Sequence, residues 1–273
     1  MPEIHPTAIV SKDFDIASDV VIGPNCLLIG KGSIGAGSRL IANVTIQGPI
    51  TIGQRAQIYP GACLGFEGQD IKFKPGMPTA GVVIGDDCLL RESVTIHAAT
   101  KPDAPTRVGN RAFMMVCSHI GHDARIDDDV VMVNNTCLGG HAHVAAKATI
   151  GGGAMVHQFG RVGRLALLSG GAAMSLDVPP FCVAYARNIL GGLNLVGMRR
   201  HGLTSEAITN VREAFRVALK PNYGRQQTLE HLAPLAANCP EVAELYEFYA
   251  TAKRASVKFG TSSREEAIGG VDA

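Results

Sequence analysis

"IGHDARIDDDVVMVNNTCLGGHAHVAAKATIGGGAMVHQFG", residues 120–160, decides the fold. Within it Ile120, Ile126, Met132, Leu138, Val144, Ile150 and Val156 recur every six positions. That period fits neither a 3.6-residue helix nor the simple alternation of a β-hairpin. It fits a hexapeptide parallel β-helix, in which each unit forms one short side of a coil. The aliphatic residue points into a narrow core, and a small residue after it, such as Gly139, Gly151 or Gly163, lets the chain turn.

The same phase extends outward in both directions. It runs from Ile4 to Leu64, resumes over Ile84, Leu90 and Ile96, and continues from Val108 to Met174. A core of stacked Ile, Leu and Val needs no large aromatic, which suits a chain with 32 Gly and no Trp. Two segments break the phase, residues 65–83 and 97–107, and both are expected to project as loops from the coil corners. Long loops on a rigid scaffold tend to carry function.

From about Arg187 the six-residue period disappears and helical patterns replace it. The expected division is a β-helix over residues 1–186 and a helical domain over 187–273. Residues 204–220 place Ile208, Val211, Phe215 and Leu219 on one apolar stripe, and Pro221 stops that helix. Residues 227–238 and 240–254 read as two more helices, and the polar tail 262–273 is expected to fray. The C-terminal segment should cap the open end of the coil and hide unpaired strand edges.

Composition limits the function classes. Lys+Arg 25 nearly balances Asp+Glu 24, so no nucleic-acid partner is expected. No apolar run is long enough to cross a membrane, so no stable membrane insertion is expected. The start "MPEIHPTAIV" lacks the features of a signal peptide. Cys26, Cys63, Cys88, Cys117 and Cys137 show no CxxC spacing and read as small apolar residues. Together these features point to a reduced, cytoplasmic setting.

The histidines are the chemistry-bearing residues. If positions 120, 138 and 156 begin the same side on successive coils, His122, His141 and His157 share one corner, with His119 just before it and Gln158 just after. The core has no need of such a column. It could be structural, or it could bind a metal through His119, His122, His141 and His143. In a third reading one histidine is a general base, with Asp123 orienting it and backbone N–H groups of "LGGH" (138–141) serving an oxyanion.

In order along the chain, "GQDIKF" in the first loop, "RESVTIH" (91–97), "HIGHD" (119–123), "GGH" (139–141), "VHQF" (156–159), "DVPP" (177–180) and "SEAIT" (205–209) resemble the UDP-N-acetylglucosamine O-acyltransferases that begin lipid A synthesis. The resemblance implies a left-handed, trimeric β-helix. It implies transfer of a 3-hydroxyacyl group from acyl carrier protein to the sugar 3-hydroxyl, with no cofactor and no metal. His122 would be the general base, Asp123 its partner and the Gly140 N–H the oxyanion donor. His97, His119, His141 and Gln158 would hold the sugar and phosphate. Gln69, Asp70 and Lys72 would reach the neighbouring subunit's cleft. Asn194 and Arg200 would meet the nucleotide end, and Gly170 would leave room for a long acyl chain. Arg199, Arg200, Arg212, Arg216 and Lys220 would form a basic docking face for the carrier protein.

Val196 and His201 depart from the family pattern at the nucleotide end. A 3-amino sugar acceptor stays open. So do a zinc enzyme resembling the γ-class carbonic anhydrases and a non-catalytic scaffold. The later N-acyltransferase of the pathway carries an extra N-terminal domain, whereas the repeat here begins at Ile4.

Overall fold

The computed structural model describes residues 1–259. Three sheets, built almost wholly of short parallel strands, form the sides of a prism, with twelve, nine and eight strands among the described residues. Partner residues in most adjacent coils are one eighteen-residue turn apart, as in Ile4 with Ile22, Ile120 with Leu138, and Ile126 with Val144. The coil is a left-handed parallel β-helix. Its repeated aliphatic residues are 0–3% exposed from Ile22 to Met174. Ile4, in the edge strand of the twelve-stranded sheet, is 40% exposed.

Most corners from Asn25 onward are turned by one residue in the left-handed region, usually not glycine. Asp123, His141 and Phe159 occupy this place at one corner with φ of 58°, 60° and 62°. The strain is held by the coil before it: the His141 N–H donates to His122 O, and the Phe159 N–H to Gly140 O, both at 2.9 Å. At another corner a carboxylate or amide side chain does the same work. Asp86 Oδ1 accepts from the Gln54 N–H, Asn110 Oδ1 from the Asp86 N–H, and Asp128 Oδ1 from the Asn110 N–H, each at 2.8 Å.

The two loops are shorter than expected. Strands Cys63–Phe66 and Val82–Ile84 trim the first to residues 67–81, and Thr95–His97 and Thr106–Val108 trim the second to 98–105. Pairing across the insertions stays in register: Ile58 meets Leu90, and Ile96 meets Ile120. The insertions therefore leave the core column intact.

The boundary expected at 186/187 falls inside an antiparallel hairpin. Cys182–Tyr185 pairs with Ile189–Leu193, which also takes Lys258–Phe259 as a parallel partner. The twelve-stranded sheet thus runs past the end of the six-residue period, because unpaired strand edges still need partners. Four α-helices follow among the described residues: α1 Leu195–Arg200, α2 Ser205–Ala214, α3 Arg225–Ala236 and α4 Pro240–Ala250. Thr204 caps α2 by accepting from the Ala207 N–H. The predicted helix 204–220 is not uniform, since Phe215–Leu219 forms a wider π turn. Its stripe is buried through Ile208, Val211, Ala214, Ala218 and Leu219, while Phe215 meets Phe259 edge-on at 5.3 Å.

The helices lock onto the last coils through two arginines. Arg161 donates to buried Asp177 at 2.7 Å and to Phe248 O at 2.8 Å, and its guanidinium lies over the Phe248 ring. Arg164 pairs with Glu244 and covers Phe181, which is fully buried. The predicted fraying of residues 262–273 lies outside the described residues.

Candidate active site

The corner after the nine-stranded sheet brings the predicted histidines together, with one substitution in the stack. Because left-handed turn residues repeat at 123, 141 and 159, His122 is equivalent to Gly140 and Gln158, not to His141. The His122 and His141 rings meet edge-on at 5.1 Å, and His141 stacks flat on Phe159 at 4.5 Å. Phe159, not His157, continues the stack. His157 is exposed and its Nδ1 lies 3.0 Å from Gln158 O, so it does not share the expected column. Six-residue counting marks the aliphatic positions but not which corner residue swings outward.

His122 is buried, and its Nδ1 lies 2.7 Å from Asp123 Oδ2. Thr100 Oγ1 donates to the same oxygen at 2.7 Å, and the Thr100 N–H lies 3.2 Å from both carboxylate oxygens. The Asp123 N–H donates to Thr106 Oγ1 at 2.8 Å. Burial alone would raise the Asp123 carboxyl, but the donors on His122 and Thr100 hold it below its usual range. An ionised carboxylate facing Nδ1 fixes the proton there and leaves the Nε2 lone pair free.

That Nε2 faces Gly140. A Cβ at residue 140 would lie 2.6 Å from it, so a side chain there would have to displace the ring. The Gly140 N–H has no acceptor among the described residues. A base and an unpaired backbone donor therefore share one corner.

His97 and His119 lie beside this group, edge-on to each other at 5.0 Å. Thr95 Oγ1 lies 2.7 Å from His119 Nδ1. Burial, with the neighbouring His97 and His122, pushes His119 down to about 4. His97 is also lowered, by burial and by His122, and its Nδ1 is buried without a partner. His141 is lowered by burial, against the opposing pull of Asp123. These rings are neutral donors and acceptors near pH 7, suited to polar ligand groups.

The metal reading loses part of its ligand set. His143 lies on a different side of the coil, where its Nε2 meets Asp127 Oδ2 at 3.0 Å. His119 is turned to Thr95. Donor atoms of His122, Asp123 and His141 do lie within 4.8 Å of one another. However, the 2.7 Å between His122 and Asp123 is a hydrogen bond; two ligands each about 2.0–2.2 Å from one ion sit wider apart in a tetrahedral shell.

Other predicted residues are placed as follows. Gln69 and Lys72 are exposed in the first loop, where Asp70 Oδ1 accepts the Lys72 N–H at 2.8 Å. The base of that loop packs on its own chain: a Cβ on Gly68 would lie 2.8 Å from His122 Cβ and 2.9 Å from Thr100 Cγ2. The carbonyl of Gln158 accepts from Arg254. The Asn194 amide is spent at both ends, capping α1 through the Gly197 N–H and donating to Leu165 O, both at 2.9 Å. Arg199 and Arg200 are exposed on the last turn of α1, and Arg212, Arg216 and Lys220 are exposed further on. Arg216 is paired with Glu213. Gly170 lies at the corner preceding the nine-stranded sheet, one corner away from His122, where a Cβ would meet only Gly152 O at 3.4 Å. Sequence reasoning missed Thr100, Thr106 and Phe159, because no periodicity marks which loop residues fold back on a corner.

A family model described as UDP N-acetylglucosamine O-acyltransferase, domain 2, matches residues 177–257. Among curated proteins, acyl-[acyl-carrier-protein]–UDP-N-acetylglucosamine O-acyltransferase of Thermodesulfovibrio yellowstonii is 40% identical, covering 93% of this chain and 98% of that protein. This chain belongs to the UDP-N-acetylglucosamine O-acyltransferase family. The Synechocystis protein of the same name is 37% identical over 87% of this chain and 86% of its own length. Two solved UDP-N-acetylglucosamine acyltransferases, from Moraxella catarrhalis and Francisella novicida, superpose with TM-scores of 0.88 and 0.90 at 36% and 31% identity. They cover 93% and 99% of this chain, and each is itself covered over 99% of its length. The O-acyltransferase fold thus extends over both the coil and the helical segment.

Proposed function

We propose that this chain transfers a 3-hydroxyacyl group from acyl carrier protein to the 3-hydroxyl of UDP-N-acetylglucosamine, the first step of lipid A synthesis, as a cytoplasmic homotrimer without metal or cofactor. The observation that carries this reading is the His122–Asp123 pair with Nε2 facing Gly140. Relatives named for this reaction supply the substrate classes. No helix among the described residues is long and apolar enough to cross a membrane.

In the proposed step His122 Nε2 takes the proton of the sugar hydroxyl as its oxygen attacks the thioester carbonyl. The Gly140 N–H donates to the developing oxyanion. The tetrahedral adduct collapses, the C–S bond breaks, and His122 returns the proton to the departing carrier thiolate. Asp123 stays ionised throughout and steadies the imidazolium. His97, His119, His141 and Gln158 hold the sugar and phosphate, and Arg200 meets the nucleotide end.

A second wall is needed, because the histidine corner of one chain is open beside exposed Met155 and Phe159, 51% and 54% exposed. Gln69, Asp70 and Lys72 of a neighbouring copy supply it. Gly170 leaves room for a long acyl chain, and the basic residues Arg199, Arg200, Arg212, Arg216 and Lys220 receive the acidic carrier.

The test is incubation of purified protein with 3-hydroxyacyl carrier and UDP-N-acetylglucosamine, with mass spectrometry of the product. His122→Ala should lower turnover by about 10²–10⁴-fold while leaving the fold intact. Wild-type protein that forms no acyl sugar, or a His122→Ala variant near the wild-type rate, would overturn the reading.

A further inference from the structure

The geometry points to Thr100 as the positioning residue of the His122–Asp123 pair: its hydroxyl shares the carboxylate oxygen that holds the base, and its methyl ties that clamp to the first loop. This inference rests on the proposed role of His122 as base.

Three observations converge. First, Asp123 Oδ2 receives two close partners, Thr100 Oγ1 and His122 Nδ1, both at 2.7 Å. His141 Nε2 is further away, at 3.7 Å. The Thr100 hydroxyl therefore competes directly with the base for one oxygen. Second, the same residue adds its backbone N–H at 3.2 Å, and buried Thr106, the first strand residue after the second loop, takes the Asp123 N–H. Both ends of this loop thus hold Asp123, which sits in a left-handed conformation that needs such support. Third, Thr100 Cγ2 occupies the space beside Gly68 where a side chain would collide, so the methyl packs under the base of the first loop.

The two arms of one side chain therefore have separable tasks. The hydroxyl draws charge from Asp123 and fixes its direction. The methyl fixes the relation between the two loops. A structural threonine would need only the methyl and the backbone N–H.

The hydroxyl's task has a direction in pH. Without it, Asp123 keeps more of its charge for His122, which favours the imidazolium. Other groups around His122 act equally in wild type and variant. They are His97 from the preceding coil, His119 from the same coil, His141 from the next, and Asp70 and Lys101 from the two loops near His141.

The experiment compares Thr100→Val, which keeps the shape and methyl, with Thr100→Ser, which keeps the hydroxyl. The Nδ1–H proton resonance of His122 is followed by NMR in each, alongside pH profiles of kcat/KM. Thr100→Val should move that resonance, because the bond to Asp123 changes when its oxygen loses a competing donor, and lower kcat about tenfold with either KM changed less than about twofold. Thr100→Ser should leave the resonance and the pH profile at wild type. Should Thr100→Val fail to fold, Thr100→Ala replaces it in the same comparison. An unshifted His122 in the folded variant that lacks the hydroxyl overturns the proposal, as does an equal shift in Thr100→Ser. The NMR measurement needs no substrate, so it decides the positioning role even if the acyl-transfer assay fails in wild type.

Discussion

The ring of His122 occupies the space that a side chain on Gly140 would need. A Cβ there would lie 2.6 Å from Nε2 and 2.7 Å from Cε1. The two residues are equivalent positions on successive coils, so the imidazole of one coil roofs the glycine of the next. This stacking delivers a base and a backbone donor to one point without any loop rearrangement.

Gly140→Ala is the direct probe of that contact. Gly140 has no left-handed backbone, so alanine is permitted by the chain and opposed only by the ring. The expected outcome is a fall in kcat of about 10²-fold, with a thermal midpoint near that of wild type. Steady-state kinetics beside calorimetry checks it. A near-normal kcat would remove Gly140 from the reacting corner.

The depressed His119 makes a prediction about stability and pH. Its folded value is about 4, below the ordinary value of 6.5. Between these values the unfolded chain binds more protons than the folded one, so the neutral ring's contribution is complete above about 6.5 and is lost as pH falls towards 4. Denaturation midpoints measured from pH 7 to 4 should fall less steeply in His119→Gln than in wild type. Parallel curves would show that His119 titrates normally.

Arg161 should matter more than any surface pair. Its partner Asp177 is 1% exposed, whereas the Arg55–Asp87 pair is about half exposed on the arginine side at 54%. Arg161→Ala strands a buried carboxylate and removes the contacts to Phe248 and Thr251. A loss of about 3–5 kcal/mol is expected in urea unfolding, against less than about 1 kcal/mol for Arg55→Ala. Similar losses in both variants would contradict the assignment.

The carrier-docking face should be uneven. Arg212 is exposed with no ion-pair partner among the described residues, whereas Arg216 already donates to Glu213. The π turn before Lys220 also alters the four-residue alignment assumed from sequence. Arg212→Glu should therefore raise the KM for acyl carrier and flatten its salt dependence, with Arg216→Glu having the smaller effect. The KM for the nucleotide sugar should stay constant in both. Equal effects on the two substrates would place docking elsewhere.

The sequence alone determined the coil. An aliphatic residue at every sixth position has only one way to be buried repeatedly, and an eighteen-residue turn then fixes which residues lie above one another. It also placed His122 and Asp123 beside the "LGGH" stretch of the next coil, since both lie within three residues of an aligned core position, while Gly140 itself was singled out only by the family resemblance.

What it did not determine is anything set by the direction of a corner residue or by the return path of a loop. Phe159 rather than His157 continues the ring stack because the left-handed residue of each turn, not the first one after the strand, faces its counterpart on the next coil. Thr100 and Thr106 reach Asp123 because the second loop leaves and re-enters the coil at neighbouring points, a closure that leaves no trace in residue spacing. Asn194 looks polar and available in sequence, but the start of α1 consumes both ends of its amide. Periodicity records burial, which is local and repeated. Hydrogen-bond direction is neither, and only the tertiary structure decides it.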